Sequence, residues 1–372
     1  ILTSLFGVMN TVLQIYPLRY TYHDVALLSA SLYVVSEEVI VTTKVLFIIV
    51  KMRQFKELVN DINSELFSPK NDAQLMIIRK FFAMWKFLGF CLAFNAGTAT
   101  FFWITFTIID GGVRERRLPF VSWFPYNTTI SPNYELTYVY QSFGIIYQAT
   151  TNISIDLLVS VLMMYTAAQC GVLSDHLRNI YTITEDALVE ERQITDETDE
   201  ETRRNLILQN MNRTFINLIY YHRRILNLAN KTNLLIDPLM MTQFVVTTSA
   251  LCLTMIQLIS TPIFSSEFLA LIFYQVAVMF QLLIYSWFGN EVSLQSVNLS
   301  YAVYECDWTS APISFKKHIL FFMVRTQRPL KYYALNFFEV SLDTYTKILR
   351  SSWSYFAVLR QNDQKNKARI SN

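Results

Sequence analysis

Long runs without charge alternate with charged segments along this chain. Ile1–Leu18, Phe87–Ile109, the stretch from Leu136 up to Asp156, Pro238–Ser266 and Phe268–Asn290 each hold 17 or more uncharged residues. A hydrocarbon layer about 30 Å thick takes about 20 helical residues, so each run predicts a spanning helix. Two further stretches are less uniform. Val25–Val50 is interrupted by Glu37, Glu38 and Lys44, and Tyr333–Leu359 is striped. In that stripe Glu339, Asp343, Lys347, Arg350, Ser354, Val358 and Gln361 follow at spacings of four or three, which puts them on one helix face. Leu342, Tyr345, Leu349, Ser352, Phe356 and Leu359 form the opposite face. The pattern predicts an all-α, polytopic membrane protein with seven transmembrane helices and no internal repeat.

Composition agrees. Of 372 residues, 52% are hydrophobic and only 16% charged, against roughly 25% charge in soluble domains. Mean hydropathy is +0.28. The net charge of +2 gives no reason to expect nucleic acid as a partner. The chain opens at Ile1 rather than Met, so a leading segment is expected to precede it. Lysine and arginine set the orientation. Segments 51–80, 174–236 and 300–332 carry six, eight and five of them. The alternate loops are poor, which predicts a cytoplasmic N-terminus and an extracellular C-terminus. The basic tail (Arg360, Lys365, Lys367, Arg369) pulls mildly the other way. The sequon at Asn127 falls in a loop expected outside. The acidic and basic stretch Glu185–Arg204 is expected to be a solvated loop, with helix resuming near Asn205.

No HExxH, Walker A, GxGxxG or GxSxG pattern occurs, the four histidines lack metal-ligand spacing, and no CxxC is present. An enzyme is not expected, nor any cofactor or bound metal. Cys91, Cys170 and Cys252 sit in apolar stretches and read as small buried side chains. Charges inside spans cost about 2.5–3.5 kcal/mol each at mid-membrane, so they face a bundle interior or a cavity. Lys44 and Asp156 lie at similar depth and are expected to face each other, with Lys86 an alternative partner for them, or else to snorkel separately to the headgroups. At least one of Glu37 and Glu38 is expected to face a polar interior. The outer halves of the second to sixth spans offer Leu32, Tyr33, Ser36, Thr98, Phe101, Phe102, Thr105, Tyr140, Gly144, Tyr147, Gln148, Phe273 and Tyr274. Apolar walls with a few hydroxyls suit a small volatile organic ligand, although the same residues also suit plain helix packing.

The last third carries a resemblance. RTQRPLKYYALNFFEVSLDTYTKILRSSWSYFAVLRQ, Arg325–Gln361, is similar to the most recognisable stretch of the insect odorant receptor family, with Arg325, Gln327 and Pro329 as its R-x-Q-x-P element and Ser354, Tyr355 and Phe356 as its S-Y-F element. Asp156–Arg178 resembles the end of that family's fourth helix, and Tyr221–Phe244 the approach to its fifth. The first 130 residues agree in layout more than in motif. Gustatory receptors end in a TYxxxxxQF-like motif, whereas this chain has SYFAVLRQ. The family's coreceptor is similar at that motif but longer, so the chain resembles a ligand-specific subunit. G-protein-coupled receptors are disfavoured: their topology is inverted, and neither DRY nor NPxxY is matched.

The resemblance implies a ligand-gated, non-selective cation channel subunit in the plasma membrane of an olfactory dendrite. Its partners would be the coreceptor, in a heterotetramer, together with a small volatile ligand and membrane lipid. The pore and gate would be formed by Ser354, Val358 and Gln361, with Val358 at the hydrophobic ring. Arg360 stands where the coreceptor has an apolar residue. The expected organisation is spans one to four with the pocket (1–173), a cytoplasmic anchor (174–237), spans five and six (238–299), a second anchor segment (300–332), the pore helix (333–361) and an extracellular tail (362–372). Two alternatives stay open: a gustatory-type homomeric channel, and a transporter or lipid-binding protein without an ion pore.

Overall fold

The structure is a computed structural model describing residues 3–17, 19, 25–109, 111–120, 122–195, 198–263 and 265–370. Among these, nine α-helices follow in order: α1 (Met9–Ile15), entered through a π-helical turn at Thr3–Val8, α2 (Val25–Ile62), α3 (Asp72–Ile109), α4 (Asn133–Arg178), α5 (Ile180–Glu190), α6 (Glu200–Ser260), α7 (Ser266–Glu305), α8 (Ile313–Thr326) and α9 (Leu342–Ile370). A short antiparallel hairpin, β1 (Tyr333–Ala334) with β2 (Phe338–Glu339), precedes α9. Four helical stretches are long and apolar enough to cross a membrane: Asp72–Thr105, Asn133–Arg178, Glu200–Ile259 and Glu267–Glu305. They correspond to the third to sixth expected spans.

These helices outrun a bilayer. The 46 residues of α4 and 61 of α6 reach about 69 and 92 Å at 1.5 Å per residue, so a spanning part continues into an extension. The core lies in the extensions. Val159, Met163, Ala167, Cys170, Leu173 and Leu177 bury one face of α4 against Met211, Phe215 and Ile225 of α6 and Phe288, Val292 and Leu299 of α7. Toward the turn between α6 and α7 the buried apolar cluster is small: Tyr33, Trp103, Ala270 and Leu271. The four cysteines are free, with Cys170 and Cys306 buried. On α3, Phe87, Phe90, Phe94 and Phe101 are exposed at helical spacing, an apolar face suited to lipid.

The expected loop Glu185–Arg204 is shorter than its composition suggests. α5 continues to Glu190, and α6 starts at Glu200, not near Asn205. Asp199 caps α6 by accepting the Thr202 N–H at 3.0 Å, and Arg203 Nε reaches Glu185 Oε1 at 2.5 Å. The capping bond and the ion pair turn a charged stretch into two packed helices. Near the end of α8, Arg325 and burial together hold His222 down to about 4, with burial the larger cause, so the imidazole packs neutral against Phe322.

The helix at the position of the seventh expected span also begins later than expected. Helix starts at Leu342, not Tyr333, and Glu339 lies in β2, off the helical stripe. Two residues in the left-handed region, Leu335 (φ 48) and Asn336 (φ 57), turn the hairpin. Its backbone is held by α6: Tyr333 N–H donates to Asn233 Oδ1 at 3.0 Å, and Leu335 N–H to Asp237. Glu339 pairs with Lys331 at 2.7 Å. Ser341 then caps α9 through the Thr344 N–H at 3.3 Å. Helix continues past Gln361 to Ile370, through most of the expected tail.

Gly289 lets the hairpin dock. A Cβ there would collide with the carbonyl oxygen of Val340, which ties back to Tyr332 through a 2.9 Å N–H···O bond. Because neither α7 nor the hairpin backbone can yield cheaply, Gly289→Ala is expected to cost about 1–3 kcal/mol. A lowered melting temperature of the detergent-solubilised protein, with a smaller loss for Gly97→Ala in open space, is the result that checks it.

Candidate ligand cavity

Between α2, α3, α4 and α7 lies a cavity of about 150 Å³. Its aromatic side is built from Tyr33, Trp103, Phe120 and Tyr274. Trp103 stacks on Phe120 at 5.7 Å, and Tyr33 meets Trp103 edge-on at 6.0 Å and Tyr274 at 5.6 Å. Small side chains of α3 leave the space: Ala96, Ala99 and Thr100 line it beside Leu92.

The floor is polar. Lys44 Nζ contacts Asp156 Oδ1 at 2.7 Å and Asn152 Oδ1 at 2.8 Å. Gln281 donates to the other oxygen of Asp156, and the Tyr285 hydroxyl donates to Oδ1. Both charges are 1% exposed. A second polar group closes one side. Glu38 Oε1 accepts from Asn10 Nδ2 at 2.5 Å and Gln14 Nε2 at 2.7 Å, which docks α1 onto α2. Glu37 sits beside the Tyr274 hydroxyl. The expected Lys44–Asp156 pairing is therefore present, while Lys86 instead lies over the Phe82 ring at 4.7 Å. Among the described residues no cluster of His, Cys, Asp or Glu could hold a metal ion.

Of the residues singled out from sequence, Tyr33, Gln148 and Tyr274 line this cavity. The others lie around it. On α3 the cavity face is Leu92, Ala96, Ala99, Thr100 and Trp103, so Thr98, Phe101, Phe102 and Thr105 fall on neighbouring faces. Phe101 is 61% exposed, and Phe102 stacks on Phe273 at 5.3 Å. The Thr98 and Thr105 hydroxyls bond to carbonyls one turn back. Tyr140 and Tyr147 pack on Phe6 at 5.6 and 5.9 Å, and Gly144 faces Asn10. Leu32 is exposed, and Ser36 donates to the Tyr33 carbonyl at 2.8 Å. Trp103, Phe120, Ile145, Val278 and Gln281 were not anticipated. The run of small residues one turn apart on α3 was the signal available for Trp103. Phe120 comes from a loop and had none.

On α9 the stripe from Asp343 through Lys347, Arg350, Ser354, Val358 and Gln361 is the exposed face, and Ser352 opposite is buried. Asp343 and Lys347 pair at 2.5 Å while both stay mostly exposed. The Arg360 side chain lies outside the described residues.

Long apolar helices packed around a cavity define a multi-pass helical membrane protein. Residues 24–353 match the model of the 7tm Odorant receptor family, and the chain belongs to that family. It is 27% identical to Odorant receptor 2a of Drosophila melanogaster over 66% of this chain and 60% of that one, less than two thirds of the relative's own length. It is 23% identical to Odorant receptor Or1 of Anopheles gambiae, over 80% and 72%. The fold superposes on the insect olfactory receptor OR5 from Machilis hrabei in complex with eugenol with a TM-score of 0.80, at 20% identity, covering 96% of this chain and 87% of that one.

The buried ion pair sets one expectation. Removing one partner strands the other charge and costs about 3–5 kcal/mol, whereas losing both charges costs less. Lys44→Met is expected to abolish or sharply reduce folded receptor, and Lys44→Met with Asp156→Asn to recover much of it. Thermal melting followed by size-exclusion fluorescence checks this; equal loss in the single and double variants would count against the pairing.

Proposed function

We propose that this chain is the ligand-binding subunit of an odorant-gated, non-selective cation channel formed with the coreceptor in the plasma membrane, with the N-terminus cytoplasmic and the C-terminus outside. The observation that carries the reading is the cavity, lined by four helices in a chain of the odorant receptor family. The eugenol complex of the Machilis receptor supports a small volatile as ligand here too. An odorant of about ten heavy atoms, at roughly 0.5–0.8 kcal/mol per atom, binds with about 5–8 kcal/mol, which corresponds to micromolar to hundreds of micromolar dissociation constants. Tyr33, Gln148 and Tyr274 contact it, with Trp103 and Phe120 as aromatic walls.

Opening is a population shift: the ligand stabilises the open arrangement only by the difference between its affinities for the two states. α7 is the shared element. It lines the cavity with Tyr274 and Gln281, reaches Asp156 through Tyr285, and seats the start of α9 at Gly289 one turn on. Motion of α7 thereby moves α9, whose Ser354, Val358 and Gln361 face the pore. Val358 is 53% exposed in the single chain, which leaves it free to form a ring with neighbouring subunits and to gate by dewetting. The helical extensions with α5 and α8 serve as the cytoplasmic anchor between subunits.

Coexpression with a coreceptor tests the reading. Odorant-evoked cation current is expected with both subunits and none with this chain alone; current from the chain alone would favour a homomeric gustatory-type channel. Val358→Ser is expected to raise resting current several-fold by wetting the constriction. Unchanged resting current and ion selectivity would remove α9 from the pore and favour a transporter or lipid-binding role.

A further inference from the structure

An asparagine followed two residues on by serine or threonine occurs at Asn127, Asn152, Asn212, Asn230 and Asn298. That triplet accepts N-linked oligosaccharide where it lies at the surface and on the side of the membrane that the secretory lumen becomes. The structure separates the five sites. Asn152 Oδ1 is spent on Lys44 at 2.8 Å in the cavity floor. Asn212 is half-buried on α6, its Oδ1 2.7 Å from His318 Nδ1. Asn298 is half-buried on α7. Of the five, Asn127 and Asn230 are exposed, and they stand at opposite ends of the bundle. Lys231, next to Asn230, pairs with Asp61 at 2.6 Å near the end of α2, where the chain turns into α3. Asn127 lies past the other end of α3, whose 38 residues extend about 57 Å.

We infer that Asn127 carries an N-linked oligosaccharide and that Asn230 is bare. This rests on the orientation proposed above, which puts the α3–α4 connection outside and Asn230 in the cytoplasm. The donor is an oligosaccharide carried on a polyprenyl pyrophosphate. Asn127 Nδ2 attacks its anomeric carbon, the N–C bond forms as the C–O bond to pyrophosphate breaks, polyprenyl pyrophosphate leaves with the electron pair, and the nitrogen gives up one proton. The folded loop accommodates the product. Asn127 Oδ1 accepts from the Thr129 N–H at 2.9 Å and from the Thr129 hydroxyl at 2.7 Å, and the Asn127 carbonyl accepts from Asn133 Nδ2 at 3.2 Å. These bonds hold the loop through oxygen atoms and leave Asn127 Nδ2 uncommitted among the described residues, so replacing one of its protons by a sugar breaks none of them.

The test expresses the full chain, with an epitope tag after Asn372, in insect cells together with a coreceptor. Denatured protein is run with and without peptide-N-glycosidase treatment, and the tag is stained on intact and on permeabilised cells. One downward step in apparent mass on digestion is expected. Asn127→Gln and Thr129→Ala are each expected to abolish it, whereas Thr129→Ser, which keeps the triplet, and Asn230→Gln retain it. Sugar transfer precedes folding and the denatured chain is what is read, so a variant that folds poorly still reports. An unshifted wild-type chain whose tag stains on intact cells would overturn the inference and leave the orientation standing. An unshifted chain whose tag stains only after permeabilisation would overturn both. A step that survives Asn127→Gln would overturn the inference, and its loss in Asn230→Gln would take the orientation with it.

Discussion

The buried pair of Lys44 and Asp156 is the constraint around which the helix bundle is arranged. A charge in hydrocarbon or in a packed core is tolerated only when its partner and its remaining hydrogen bonds are supplied together. Supplying them draws in Asn152, Gln281 and Tyr285, which fixes α2, α4 and α7 relative to one another at one level. Neither a register slip nor a rotation of any of the three survives without stranding a charge.

That level divides the molecule. On one side the helices close into a large apolar core of Met, Leu and Phe side chains. On the other, small residues on α3 and the polar demands of Glu37 and Glu38 keep the same helices from closing, and a cavity is left. The ion pair is at once the floor of the cavity and the roof of the core. Because α7 contributes to both and also carries Gly289, the cavity and the origin of α9 share one rigid element, which is the physical requirement for coupling two sites by packed contacts.

Much of this was legible from residue order. Uncharged runs marked the long helices because hydrocarbon length imposes a minimum of apolar residues. Lys44 and Asp156 were visible as costly charges at matching depth, so their pairing could be anticipated. The face of α3 that lines the cavity was not. Thr98, Phe101, Phe102 and Thr105 are more conspicuous than Ala96, Ala99 and Thr100, yet Phe101 points outward because lipid rewards an exposed aromatic, and the cavity is formed by what is small. Likewise Tyr140 and Tyr147 look suited to a ligand but are used up by Phe6 of the N-terminal segment.

The sequence by itself determined the helical membrane class, the cost that each buried charge must offset and the polar stripe of the last helix, since these follow from local hydrophobicity and period. Tertiary structure alone decided which face of each helix meets the cavity, because four helices must rotate together to do so. It also decided that Tyr333–Glu339 turns back as a hairpin. Its backbone N–H groups are met by Asn233 and Asp237 on a helix about a hundred residues earlier, a long-range partnership that no local pattern encodes.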